Sequence, residues 1–169
     1  LHDLLKKVNF RYIIKPSTLG DGHSILLAQK FIDKDETFVV SMGDLLGLAK
    51  KPFINQVIDI YNKENVPVIS VEKVELEAVS RFGVVSVSKS KGGLHYVNDI
   101  VEKPEPKNAP SRLIVTGKYV LTPQFFDILK DLVKNHKTGE VKLADALKIY
   151  SQKNKLLAYE CIGQVQDTG

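Results

Sequence analysis

The chain has 169 residues, 43% hydrophobic and 26% charged, a composition that suits one ordinary globular domain with a substantial core. Its formal charge of +4 comes from 24 Lys and Arg spread among 20 acids with no long basic block, which reads as a solvated lysine-rich surface rather than a nucleic-acid footprint and leaves open a basic cleft for a phosphorylated small molecule. One cysteine, Cys161, excludes an internal disulfide; no apolar run approaches the ~20 residues of a membrane span, and no secretory pattern opens the chain, so the expected setting is cytoplasmic, away from membranes.

In chain order, residues 10–14 (FRYII) read as a strand, followed by the loop KPSTLGDG and a helix over residues 23–31 that opens after Gly22. Residues 38–42 form the next strand. Their lack of polar alternation predicts burial on both faces, as in a parallel sheet. Ile54, Val57, Ile58 and Tyr61 recur at helical spacing over residues 52–63. VPVISV (66–71) is again a buried strand, and residues 75–81 a short helix. Strand and helix alternating at this spacing predict βαβ units.

From Gly83 onward the strands lengthen: 84–88 and 94–102 about the turn KSKGG, then 113–121. The prolines of KPEPKNAP make that segment a loop or an edge. Thr122-Pro123 supplies a cap and a first-turn proline for a helix that buries Phe125, Ile128, Leu129, Leu132 and Val133. A last helix, 141–152, buries Leu143, Ala146, Leu147 and Tyr150, and a strand over 156–162 leads into QVQDTG. With no repeat and no linker, the elements predict a single α/β domain, three layers (α/β/α) about a mixed, mostly parallel, Rossmann-like sheet whose second half is more antiparallel.

Several residues carry chemistry. Gly20 and Gly22 follow a strand and open a helix, where backbone N–H groups can approach an anion. A helix-entry turn without a ligand accounts for them equally well. The segment is not the dinucleotide fingerprint, since Ile25 stands where a third glycine belongs. Asp44, after FVVSMG, reads as a turn residue or as a ligand for Mg²⁺, a hard ion that takes one or two carboxylates with waters and phosphate oxygens. Asp167 in QVQDTG presents the same choice. Glu102-Lys103-Pro104 reads either as a surface ion pair or as an acid for sugar hydroxyls beside an ammonium for a phosphate. The dispersed histidines show no zinc spacing, Cys161 reads as a buried inert thiol, and no nucleophile elbow is present.

Taken in order, LGDGHSILLA, FVVSMGD, SRFGVV, VEKPEPKNAPS, VTGKYVLTPQFF, GEVKLADAL and QDTG resemble the bacterial UTP–glucose-1-phosphate uridylyltransferases, in the sugar-phosphate nucleotidyltransferase superfamily, over nearly the whole chain. The resemblance implies the nucleotide-diphospho-sugar transferase fold and Mg²⁺-dependent transfer of a uridylyl group from UTP to glucose 1-phosphate. It assigns Gly20 and Gly22 to the nucleotide, Asp44 and Asp167 to the metal, Gly83 to the sugar, Glu102 and Lys103 to the glucose hydroxyls and phosphate, and Val115, Thr116 and Gly117 to the wall of the sugar pocket. Lys103 and Asp44 carry the catalytic charge. A homo-oligomer, dimer or tetramer, is implied as well.

Two departures qualify these expectations. Lys15 stands where the family has a base-contacting glutamine, which bears on base selection. Residues 1–17 do not resemble the family's G-x-G-T-R phosphate loop with its downstream P-x-x-K, and the chain stops at Gly169 where the family continues. The expectation is therefore an internal portion of such an enzyme, with little activity alone. A thymidylyltransferase or other sugar-1-phosphate sibling, and a non-catalytic sugar-nucleotide-binding module, are the alternatives.

Overall fold

The computed structural model describes residues 7–14 and 19–168. The elements are α1 (Asp21–Leu27, continued by a 3-10 turn Ala28–Phe31), β1 (Phe38–Ser41), β2 (Leu45–Leu48), α2 (Phe53–Glu64) and β3 (Val68–Lys73). After a 3-10 turn over Leu76–Arg81 come β4 (Gly83–Lys91), β5 (Leu94–Glu102), the 3-10 turn Pro106–Asn108 and β6 (Leu113–Leu121). The chain then forms α3 (Gln124–Lys134), α4 (Leu143–Lys153), β7 (Leu157–Glu160) and β8 (Gln164–Asp167). No helix among the described residues is long and apolar enough to cross a membrane.

Six strands form one sheet in the order β1-β6-β3-β7-β5-β4, while β2 and β8 pair as a separate two-stranded ribbon. The strand period of two sends successive residues of β3 to opposite faces. Val68 packs with Val120, Leu157 and Cys161 under Phe53 and Val57 of α2. Ile69 faces the other way, into the larger core with Tyr119, Leu121, Phe125, Leu129, Leu143 and Leu147. Each fully buried Phe or Leu there contributes about 1.5–3 kcal/mol by leaving water. The sheet thus lies between α2 on one face and α1, α3 and α4 on the other, the three layers expected.

The mixed sheet is as anticipated, but its predominance of parallel pairs is not. Among the described strands only β3 and β7 run parallel, while β1–β6, β3–β6, β4–β5, β4–β6 and β5–β7 are antiparallel. All nine positions of β6 are buried. Continuous apolar character therefore reports a central place in the sheet and not strand direction. Phe38–Ser41 is an edge strand, antiparallel to β6, and Val39 is 43% exposed.

Other boundaries move for local reasons. FRYII is not a strand: residues 7–14 have no ladder partner among the described residues, and Tyr12 and Ile14 are 85% and 93% exposed. Without paired N–H and C=O groups, apolar composition alone does not make a strand. α1 begins at Asp21, two residues early, because Gly20 adopts φ 93° and turns the chain into the helix. Thr122 makes no side-chain cap and α3 starts at Gln124. Phe126 rather than Val133 completes the buried face of α3, stacked on Phe38 at 4.6 Å between ring centroids. The ribbon β2–β8 was not anticipated, since residues 45–48 and QVQDTG carry no strand signal strong enough to separate them from loop.

Gln56 on α2 ties the far end of the sheet. Its Nε2 donates to the carbonyls of Lys51 and Ile162, and the Ile162 N–H donates back to its Oε1 at 2.8 Å. Beside it Cys161 is buried, and burial pushes its thiol up to about 12 from 9.0. Between those values the unfolded chain has lost a proton that the folded chain keeps, so this thiol's contribution to stability falls as pH rises across that window. At about pH 8 a thiol-specific reagent is expected to label Cys161 slowly in the folded protein and rapidly in guanidinium, and rapid native labelling would contradict the burial.

Candidate active site

A cleft of about 560 Å³ opens where the turn after β1, the start of β4, the end of β5, the middle of β6 and the start of α4 converge. It gathers Gly20, Asp44, Gly83, Glu102, Lys103, Val115 and Asp167, which the sequence scatters from one end of the chain to the other.

Asp44 and Asp167 meet through the backbone. The β2–β8 ladder sets Leu45 opposite Asp167. The N–H and Oγ1 of Thr168 both donate to the carbonyl of Asp44, at 2.8 and 2.9 Å. The Asp44 side chain is exposed at the turn, whereas Asp167 accepts from Arg81 Nη2 at 2.6 Å through one carboxylate oxygen. Gly117 seats this turn. At φ 74°, a Cβ there would fall 2.8 Å from Leu45 Cδ1 and 3.0 Å from the Met42 Cβ, and its carbonyl accepts from the Met42 N–H. Glycine is required by both the backbone angle and the close approach.

On the opposite wall, Gly83 stands opposite Glu102 in the β4–β5 ladder, and a Cβ at Gly83 would sit 3.3 Å from Glu102 Oε2. Lys142 Nζ approaches Glu102 Oε1 at 3.6 Å. Lys103 follows at φ 47°, the left-handed region that a residue with a side chain seldom occupies, held there by its N–H donating to the Phe82 carbonyl at 3.0 Å. Such local strain concentrates at functional positions.

The glycine turn serves packing as much as the cleft. A Cβ on Gly20 would lie 2.5 Å from the Val141 carbonyl oxygen. The Gly22 N–H is already taken by that carbonyl at 2.9 Å and by Asp21 Oδ1. Asp21 also accepts from the Leu143 N–H, so its carboxylate joins the starts of α1 and α4. Gly20 reaches the cleft, and Gly22 does not. Neither Thr116 nor Gly117 lines it: Thr116 is 1% exposed with its Oγ1 donating to Ser70. Lys15 lies outside the described residues.

The cleft also contains residues that sequence reasoning passed over: Asp21, Arg81, Tyr119, Glu140 and Lys142. Arg81 and Lys142 stand inside SRFGVV and GEVKLADAL, but an isolated exposed cation carries no spacing signal. Tyr119 lies on the floor of the cleft. Burial, then the carboxylates of Asp21, Glu102 and Asp44, push its phenol above the ordinary value, so it remains a neutral donor. Among the described residues the lining holds five acids (Asp21, Asp44, Glu102, Glu140, Asp167) and three bases (Arg81, Lys103, Lys142). No group of three or more potential ligands occurs among the described residues. Asp44 and Asp167, both in the lining, are the two carboxylates that could hold a hard divalent ion completed by waters and phosphate oxygens.

The three-layer mixed sheet, with Asp44, Asp167, Glu102 and Lys103 lining one polar cleft, is that of a nucleotidyl transferase domain. The chain belongs to the nucleotidyl transferase family, whose model matches residues 2–169. It is 37% identical over 161 residues to the UTP–glucose-1-phosphate uridylyltransferase YngB of Bacillus subtilis, covering 95% of this chain and 54% of that one. Against the UTP–glucose-1-phosphate uridylyltransferase of Staphylococcus epidermidis it is 35% identical over 174 residues, covering 99% and 60%. Among solved structures it resembles apo UDP-glucose pyrophosphorylase with a TM-score of 0.91 at 32% identity, covering 99% of this chain and 61% of that one. A UDP-glucose pyrophosphorylase complexed with UDP-glucose gives a TM-score of 0.89 at 31% identity, with 99% and 63% covered. The chain thus spans little more than half the length of the curated relatives named here.

Proposed function

We propose that this chain supplies the sugar-phosphate and metal-binding portion of a UTP–glucose-1-phosphate uridylyltransferase. The observation that carries the reading is the single cleft that unites Asp44 and Asp167 with Gly83, Glu102 and Lys103. Its likeness to a UDP-glucose complex supports the choice of ligand.

In the reaction, an oxygen of glucose 1-phosphate forms a bond to the α-phosphorus of UTP as the bond to pyrophosphate breaks, giving UDP-glucose and pyrophosphate. Both reactants are anions, so the protein has to align them and offset charge; no side-chain nucleophile is needed. Glu102 accepts from the sugar hydroxyls, and Gly83, lacking a side chain, lets the sugar approach that strand. Lys103 and Arg81 present cations to the phosphates. Asp44 and Asp167 would hold a Mg²⁺ ion, which would offset the charge of the phosphates when bound. The reading carries with it a cytoplasmic setting, which the buried free thiol of Cys161 fits, and a homo-oligomeric assembly, dimer or tetramer.

The test is product analysis with the protein that carries this chain, given Mg²⁺ and a panel of nucleoside triphosphates and sugar 1-phosphates. UDP-glucose and pyrophosphate from UTP and glucose 1-phosphate, at higher kcat/KM than any other pair, are expected. Preference for dTTP or for another sugar phosphate would replace the substrate assignment.

A further inference from the structure

Lys118 is an anomaly for a central strand: its side chain starts from β6, where every position is buried, and the residue is 9% exposed. A buried ammonium is costly, and an apolar residue of similar volume usually serves stability as well. Its Nζ donates to two backbone carbonyls, Met42 at 2.9 Å and Leu45 at 2.6 Å. These two carbonyls bracket Gly43-Asp44. A Cβ at Gly43 would meet nothing within 4 Å, and the Asp44 side chain is exposed, so little side-chain packing holds the tip of the turn. The ammonium, the Gly117 carbonyl and Thr168 hold it through the backbone instead. The lysine itself is anchored, since its own N–H donates at 3.0 Å to Ser70 Oγ, which also accepts from Thr116.

We infer that Lys118 is the positioning residue of the metal-binding turn, its two carbonyl contacts fixing the backbone that presents Asp44 to the cation. The inference rests on the reading of Asp44 and Asp167 as metal ligands. Lys118 is not among the residues that line the cleft; it acts through the turn. Burial lowers the basicity of its amine, and the neighbouring Asp44 carboxylate partly opposes that shift. Groups that orient a ligand from behind matter to metal affinity nearly as much as the ligands do.

The test uses Mn²⁺ as a paramagnetic probe, its free concentration read by electron paramagnetic resonance during titration of the chain, with circular dichroism as the folding control. Lys118→Met is expected to weaken Mn²⁺ binding about 10-fold or more. Lys118→Arg, able to reach both carbonyls, is expected to stay within about threefold of the unsubstituted chain. Val57→Ala, which removes volume from the core beneath α2, lowers the melting temperature without changing Mn²⁺ affinity. Should Lys118→Met fail to fold, Lys118→Gln, with a shorter donor, takes its place with the same expectation. Unchanged affinity in Lys118→Met (or in Lys118→Gln where it replaces it), or a loss no larger than that of Val57→Ala, would overturn the inference while leaving the ligands in place. An unsubstituted chain that binds no Mn²⁺ would instead reject the metal reading and the inference together.

Discussion

Asp44→Ala, in the protein that carries this chain, is expected to lower Mg²⁺-dependent uridylyl transfer about 10²- to 10³-fold, the scale for losing one group that offsets charge in the transition state. That corresponds to about 3–4 kcal/mol of barrier. The fold is expected to be indifferent, within about 0.5 kcal/mol, because the exposed carboxylate is not what shapes the turn. The turn is held by the Lys118 ammonium, the Gly117 carbonyl and Thr168, all acting on backbone atoms. Activity against Mg²⁺ concentration and a thermal melt, run on the same preparation, check both halves. Near-normal turnover would remove Asp44 from the metal site; a large drop in melting temperature would make it a structural residue.

Lys103→Gly is expected to separate stability from activity. At φ 47° the lysine bears about 1–2 kcal/mol of backbone strain, which glycine relieves. Glycine's greater freedom in the unfolded chain takes back about 0.5–1 kcal/mol. The net is a gain of about 0.5–1 kcal/mol and a melting temperature higher by about 1–4 °C. Over the same substitution, transfer is expected to fall about 10²-fold or more through loss of the ammonium beside the sugar-phosphate position. Lys103→Ala keeps the strain and should lose activity without the stability gain. A destabilised Lys103→Gly would show that the lysine side chain, and not the cleft's function, accounts for the unusual backbone.

Legibility in the sequence followed the range of the interactions involved. The hairpin β4–β5, with Gly92 and Gly93 at φ 58° and 76° between its strands, and α2, with its apolar spacing, are local structures that were readable directly. Strand direction was not. Residues 38–42 read as a parallel strand for want of polar alternation, yet β1 is an edge strand antiparallel to β6. Strand β6, buried at all nine positions, has antiparallel neighbours on both sides and owes its burial to central position. FRYII failed in the opposite sense: the residues suit a strand, but among the described residues no neighbour pairs with them.

The site divides in the same way. Asp44, Glu102, Lys103 and Asp167 stand beside turns or strand ends, where motif order could single them out. The joining of Asp44 to Asp167 depends on the β2–β8 ribbon, a pairing between segments distant in sequence that no local signal announces. Arg81 and Lys142 acquire meaning only through Asp167 and Glu102. Lys118 was hidden for the same reason. Within VTGKYVL it is one lysine among many, and only the tertiary structure sets its ammonium against the carbonyls of Met42 and Leu45.

The central claim, that this cleft receives the sugar nucleotide and its cation, is tested most directly by titrating UDP-glucose with Mg²⁺ into the ¹⁵N-labelled chain and mapping amide shifts. The account predicts saturable shifts concentrated at Asp44, Gly83, Glu102, Lys103 and Asp167, reduced by Asp44→Ala, with the amides of α2 unmoved. Saturable shifts centred elsewhere, or none as the ligand is raised to millimolar concentration, would contradict it.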